Sequence, residues 1–209
     1  MTARASLSGL TQPTMIVRPG TRADCEAIAA LHAASWRGTY RNILSDDYLD
    51  HYVVDDRQDL WAARFAKFDA AQHLVCVAED NATITGFVCV LLDEEPELGA
   101  LLDNLHVASA SHGQGLGRRL MAAAASWVAA KKPDWAMHLW VYEANSKTVA
   151  FYRAMGGSEV EHRVIFTPAG NRAPVLRFVW ENPAALGEIL NSGHAPRIID
   201  ASNLSMRNA

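Results

Sequence analysis

The chain has 209 residues, half of them hydrophobic, and 23 acidic against 19 basic side chains give it a net charge of −4. These proportions suit one globular domain with flanking tails, and the acidic balance argues against broad binding to nucleic acid or an anionic membrane surface. No apolar run reaches the length of a membrane span, and Cys25, Cys76 and Cys89, odd in number and set in apolar surroundings, read as buried free thiols of a reducing, cytoplasmic compartment.

Residues 1–14 lack the apolar centre of a secretory signal and are expected to be a disordered leader. Met15 to Arg18 is a short first strand, ended by Pro19-Gly20-Thr21. Asp24 opens a helix through about Ser35, with Ile28, Leu31 and His32 at helical spacing. A polar and aromatic connection, Trp36 to Asn42, leads to a second helical region around residues 45–68. Leu74–Glu79 and Ile84–Leu92 form a hairpin turning at Asp80-Asn81.

Ala100–Val107 is the fourth strand, and residues 115–131 are a helix whose Leu116, Leu120, Ala124, Trp127 and Val128 repeat at helical spacing; Pro133 stops it. His138–Tyr142 is the fifth strand. A short helix follows Asn145, and two last strands, about 158–166 and 175–180, flank a turn at Pro168-Ala169-Gly170-Asn171. Residues 182–209 carry Pro, Asn and Ser with few apolar anchors and are expected to be a tail or partner-contacting arm. The order β-α-α-β-β-β-α-β-α-β-β places the chain in the α/β (α+β) class, with a domain over 15–181.

The segment Leu105–Arg119 carries the most chemistry. It reads as a strand, a loop containing Gly113, Gly115 and Gly117, and a helix that starts at once. A helix N-terminus has unpaired N–H groups and partial positive charge, glycines let an anion approach closely, and Arg118 and Arg119 add charge. The loop suits a pyrophosphate. It is not a dinucleotide loop, because Arg118 stands where G-x-G-x-x-G needs its last glycine. Nor is it a P-loop, since no glycine precedes a Lys and a hydroxyl residue.

What remains, Gln114-Gly115-Leu116-Gly117 after Leu105-His106-Val107, resembles the acetyl-CoA loop of the Gcn5-related N-acetyltransferases, Arg/Gln-x-x-Gly-x-Gly/Ala. His112 occupies the first position of that pattern, and Ser109 stands where Pro is common. A second segment, Asn145-Ser146-Lys147-Thr148-Val149-Ala150-Phe151-Tyr152 with Met155-Gly156-Gly157 after it, is similar to the family's N-x-x-A-x-x-F/L-Y…G run. Asn145 suits the N-cap of that helix, and Gly156 or Gly157 its left-handed end.

The resemblance implies a mixed central sheet in which strands four and five splay apart beyond a bulge in the fourth, with acetyl-CoA between them and no metal. It places Leu105, His106 and Val107 along the pantetheine, with the Val107 N–H on the thioester carbonyl. His112, Gly113, Gln114, Gly115, Leu116, Gly117 and Arg118 would surround the pyrophosphate, with Asn145 and Tyr152 beside the coenzyme. Tyr152 is the candidate acid for the departing thiolate, because a phenol stays protonated at neutral pH. Asp103 is the first candidate base and Glu143 the second. Strand alternation puts Asp103 on the face of Leu105 and Val107, with Asn104 and His106 opposite. His106 reads as a hydrogen-bonded structural histidine rather than a base.

Trp36, Tyr40 and Tyr48 are candidate walls for the acceptor, and Asp103, Asp46 or Asp47 candidate attractors of its ammonium. The aromatics equally suit the core, and Ser45-Asp46-Asp47 suits a helix start. Arg163, Arg172 and Arg177 suit an acceptor carboxylate. The expectation is an acetyl-CoA-dependent N-acetyltransferase acting on a small-molecule primary amine, without nucleic-acid or membrane partners and compatible with a homodimer. The alternatives are acetylation of a protein N-terminus or lysine, and an acyl-CoA sensor without turnover.

Overall fold

The computed structural model describes residues 15–192, so the leader expected over 1–14 and the stretch 193–209 lie outside the described residues. In chain order the elements are β1 (Ile16–Pro19), α1 (Cys25–Thr39), a π-helical turn (Tyr48–Tyr52) running into α2 (Val53–Ala66), β2 (His73–Asp80), β3 (Thr83–Leu91) and β4 (Ala100–Val107). Then come α3 (Leu116–Lys131), β5 (Met137–Tyr142), α4 (Ser146–Ala154), β6 (Ser158–Phe166), β7 (Arg172–Trp180) and α5 (Pro183–Asn191).

The strands form one seven-stranded sheet in the order β1-β2-β3-β4-β5-β7-β6. Neighbours are antiparallel except β4 and β5, which run parallel. A parallel pair needs a crossover, and α3 supplies it.

Both faces of the centre of the sheet are covered, which is why its central strands read as nearly continuous apolar runs. On one face α3 buries Leu116, Leu120, Ala124 and Val128, one residue per turn, against Val88, Val90, Leu102 and Leu139. On the other, α1 and α2 bring Ile28, Ala29 and Trp61 onto Val75, Val77, Phe87 and Cys89. Burial pushes the Cys76 thiol up to about 11 and the Cys89 thiol to about 12, and all three cysteines are free thiols. β6 is an edge strand that leaves Val160, Val164 and Phe166 exposed.

Two expectations are corrected. The segment after residue 181 does not begin as a tail: Asn182 accepts the Ala185 N–H at 3.0 Å, Pro183 occupies the first helical turn, and α5 follows. Leu186 and Leu190, one turn apart, are buried on α3, and a side chain at Gly187 would collide with Ser126 at 2.9 Å, so the two helices cross closely.

The second correction concerns β4. Cys89 pairs with Asn104 and Val90 with Leu102, which leaves Asp103 as an extra, bulged residue. Alternation slips there. Leu105 and Val107 pack with the α3 face, whereas Asp103 turns to α2, where Arg64 holds it at 2.7 Å.

Candidate active site

β4 and β5 pair at only two positions, Ala100 with Met137 and Leu101 with His138. Beyond them β4 continues along β3 to Val107 and β5 continues along β7 to Tyr142. The two strands therefore diverge and leave a cleft of about 670 Å³ between them.

One half of the cleft is built largely from backbone. Leu105 and Val107 present the free edge of β4, and the loop from Ser111 to Gly117 leads into α3. Gly113 has φ 77° and Gly115, the N-cap of α3, has φ 74°, both left-handed conformations that L side chains resist. A Cβ at either position would meet nothing within 4 Å, so the space above the loop is open. His112, at the position where the family pattern has Arg or Gln, donates its Nε2–H to the Val107 carbonyl at 3.0 Å and ties the loop to the end of β4. Gln114 is outside the lining and instead bonds the Ala110 carbonyl at 3.3 Å. With Leu116, Gly117 and Arg118 on the lining, this corner combines a helix N-terminus and positive charge, which suit a pyrophosphate.

Tyr152 reaches the same half from α4, whose N-cap Asn145 accepts the Thr148 N–H at 3.4 Å. The Tyr152 ring is packed among Phe151, Phe178 and Trp180 at centroid distances of 5.4, 6.0 and 5.9 Å. Burial, reinforced by the Tyr40 phenol, pushes its own phenol above the ordinary tyrosine value, so it remains a proton donor at neutral pH.

The other half is built from side chains. Trp36 and Tyr40 come from the end of α1, Asp103 and His106 from β4, Trp140 and Tyr142 from β5 and Ile165 from β6. Trp36 meets Tyr40 edge-on at 5.4 Å, and Tyr40 meets Tyr142 edge-on at 5.1 Å. Beneath them lies a pair of imidazoles. His106 shares a 2.8 Å hydrogen bond with Ser35 Oγ and lies 4.5 Å from His32, whose Nδ1 accepts the Trp61 indole N–H at 3.0 Å. Burial, with the Arg57 guanidinium nearby, pushes His106 down to about 3, and burial together with His106, Arg57 and Arg64 lowers His32 as well. Both rings are therefore held neutral at pH 7.

Several expected residues fall elsewhere. Glu143 is not on the lining; its carboxylate lies 3.1 Å from His162 of β6. Tyr48 is buried with Ala33, Leu44, Leu49 and Val53 and donates to Asp56, so it is core rather than wall. Asp46 pairs with Arg41, and Asp47 is exposed on the approach to the π-helical turn. Arg163 lies over the Trp140 ring at 3.6 Å and Arg177 is engaged by Glu161 at 3.0 Å. Arg172 is 5.8 Å from the Phe166 ring. Ser35, Arg64, Trp140, Tyr142 and Ile165 were not anticipated from the sequence. Among the described residues no cluster of His, Cys, Asp and Glu is placed to hold a metal ion, and no helix is long and apolar enough to cross a membrane.

Comparison with known proteins agrees with this geometry. Over 178 residues, 84% of this chain and 98% of the relative, it is 29% identical to YuaI of Bacillus subtilis, an uncharacterised N-acetyltransferase. The fold is similar to that of the PaiA N-acetyltransferase of Thermoplasma acidophilum, solved with coenzyme A. The TM-score is 0.59 at 19% identity, over 80% of this chain and 99% of that one. A spermidine N-acetyltransferase variant, SpeG of Vibrio cholerae, matches with a TM-score of 0.58 at 22% identity, over 82% and 95% of the two chains. The model of the acetyltransferase (GNAT) family matches residues 37–156, and the chain belongs to that family.

Proposed function

We propose that the chain transfers an acetyl group from acetyl-CoA to a primary amine of a small molecule, by direct attack within a ternary complex. The observation that carries this reading is the two-residue pairing of β4 with β5 above a glycine-bounded helix N-terminus. Such a gap suits a pantetheine arm lying as a partial strand, with the pyrophosphate on the amides of Gly113 to Gly117. The open space over Gly113 and Gly115 fits that group.

Leu105 would pair with the pantetheine. The Val107 N–H would polarise the thioester carbonyl, a stabilisation realised as the oxyanion forms. Tyr152, protonated and set in the coenzyme half, would donate to the departing sulfur. Asp103, on the acceptor side of its bulge, would take the amine proton, directly or through one water. No covalent enzyme intermediate is required; positioning supplies much of the rate. We take the catalytic unit as residues 15–191, because α5 packs against the helix below the coenzyme loop.

The test is thiol release from acetyl-CoA across a panel of amines, with wild type and Tyr152→Phe in parallel. Loss of the acid should lower kcat by about 100-fold or more with the coenzyme Kd unchanged. A Tyr152→Phe enzyme that keeps its kcat would assign the ring to packing alone.

A further inference from the structure

We propose that the acceptor is a monoamine carried on a flat aromatic body, seated against the wall formed by Trp36, Tyr40 and Tyr142. The inference rests on the acetyl-transfer reading above and names its substrate class.

The first argument is shape. Trp36, Tyr40 and Tyr142 form an unbroken edge-to-face run, with centroids 5.4 and 5.1 Å apart, contributed by α1 and β5. All three are half-buried and line the cleft, and Ile165 lines it from β6. Aromatic rings prefer offset or edge contacts with further rings, and an alkylammonium is attracted to aromatic faces, although Arg57 already lies 4.2 Å over that of Trp36. A ring bearing a short aminoalkyl arm satisfies both preferences.

The second argument is charge. A polyamine or an aminoglycoside carries several ammonium groups, and each needs a carboxylate. The only acidic side chain on the described lining is Asp103, and Arg64 sits 2.7 Å from it. The carboxylates around the cleft are also engaged: Glu95 accepts the Trp140 indole N–H at 3.1 Å, Glu161 holds Arg177 at 3.0 Å, and Glu143 faces His162 at 3.1 Å. Arg163 over Trp140 and Lys147 on the lining add positive charge that repels a second ammonium. One carboxylate and a ring wall fit one amine on one ring. A carboxylated acceptor is disfavoured because Arg177 is held by Glu161 and the Arg163 guanidinium sits 3.6 Å over the Trp140 indole.

The experiment measures kcat/KM for 2-phenylethylamine and for spermidine under saturating acetyl-CoA, after coenzyme affinity has been determined by calorimetry. A preference of tenfold or more for 2-phenylethylamine is expected. Trp36→Leu should raise its KM about tenfold while leaving the acetyl-CoA Kd unchanged, which also reports that the variant is folded. Ile165→Asp, which adds a carboxylate to the lining from β6, should shift the preference toward spermidine. Equal or better use of spermidine by the wild type overturns the proposal and leaves acetyl transfer standing. If no amine is acetylated, saturation-transfer NMR with coenzyme A present decides. Binding of 2-phenylethylamine that Trp36→Leu abolishes keeps the wall assignment and removes the transfer reading; absence of binding overturns both.

Discussion

The two halves of the cleft are made of different material. The half proposed for the coenzyme is largely backbone: a strand edge, two left-handed glycines and a helix N-terminus within a run of about a dozen residues. The half proposed for the acceptor is side chains brought from α1, β4, β5 and β6, whose partners are distant in sequence; Ser35 and His106 are 71 residues apart. Backbone geometry tolerates change in its side chains, as His112 shows by tying the loop where another residue type is usual. A wall of converging side chains does not, because each ring holds the next.

Substitutions can break this contrast in turn. The largest effect, after the loss of Tyr152, is expected from Gly115→Val. A β-branched residue at φ 74° carries about 2 kcal/mol of strain and intrudes on the phosphate corner. The coenzyme Kd, read by calorimetry, should rise about 30-fold or more while the KM of the acceptor amine stays within about twofold.

A pH titration probes the acceptor half. His32 and His106 are held neutral in the folded chain and titrate near pH 6.5 when unfolded. Between that value and the lowered folded values the unfolded state binds more protons, so stability rises with pH there and is lost as pH falls. Urea unfolding should show a loss of about 4 kcal/mol from pH 7 to pH 5, about 2 kcal/mol from each imidazole, and His106→Gln should roughly halve that slope. Asp24, held low by Arg18, adds its own loss only below about pH 4.

The smallest effect should come from His112→Ala. Removing the bond to the Val107 carbonyl costs about 1 kcal/mol, read as a several-fold weaker coenzyme Kd with kcat unchanged. A larger loss, or one in kcat, would mean that His112 touches the reacting end of the coenzyme.

The same contrast explains what the sequence revealed. Gly113, Gly115 and the Asn145 cap act locally, within a few residues, so their spacing announced both the loop and the helix after β5. Element order followed from period and punctuation for the same reason. The bulge at Asp103 inserts one residue without any Gly or Pro to mark it, and strict alternation assigned the wrong face. The wall was half legible: Trp36 and Tyr40 lie in a chemically conspicuous stretch, while Trp140 and Tyr142 looked like ordinary strand residues until the sheet turned them to the cleft. For α5, the composition of the whole stretch outweighed a local start at Asn182-Pro183 and the pair Leu186 and Leu190, which were readable.

The short pairing of β4 with β5 has a mechanical consequence. Each side of the cleft is a stiff plate, knitted by full-length antiparallel ladders, and the plates are stitched together within the sheet only at Ala100–Leu101 and Met137–His138. Such a clasp has a short pin. Its softest motion is the jaws swinging about that pin, so cleft-facing amides beyond it should exchange with solvent through local opening long before the plates melt. A ligand spanning both jaws closes the clasp, and its binding free energy is returned as cooperativity between plates that otherwise loosen one at a time.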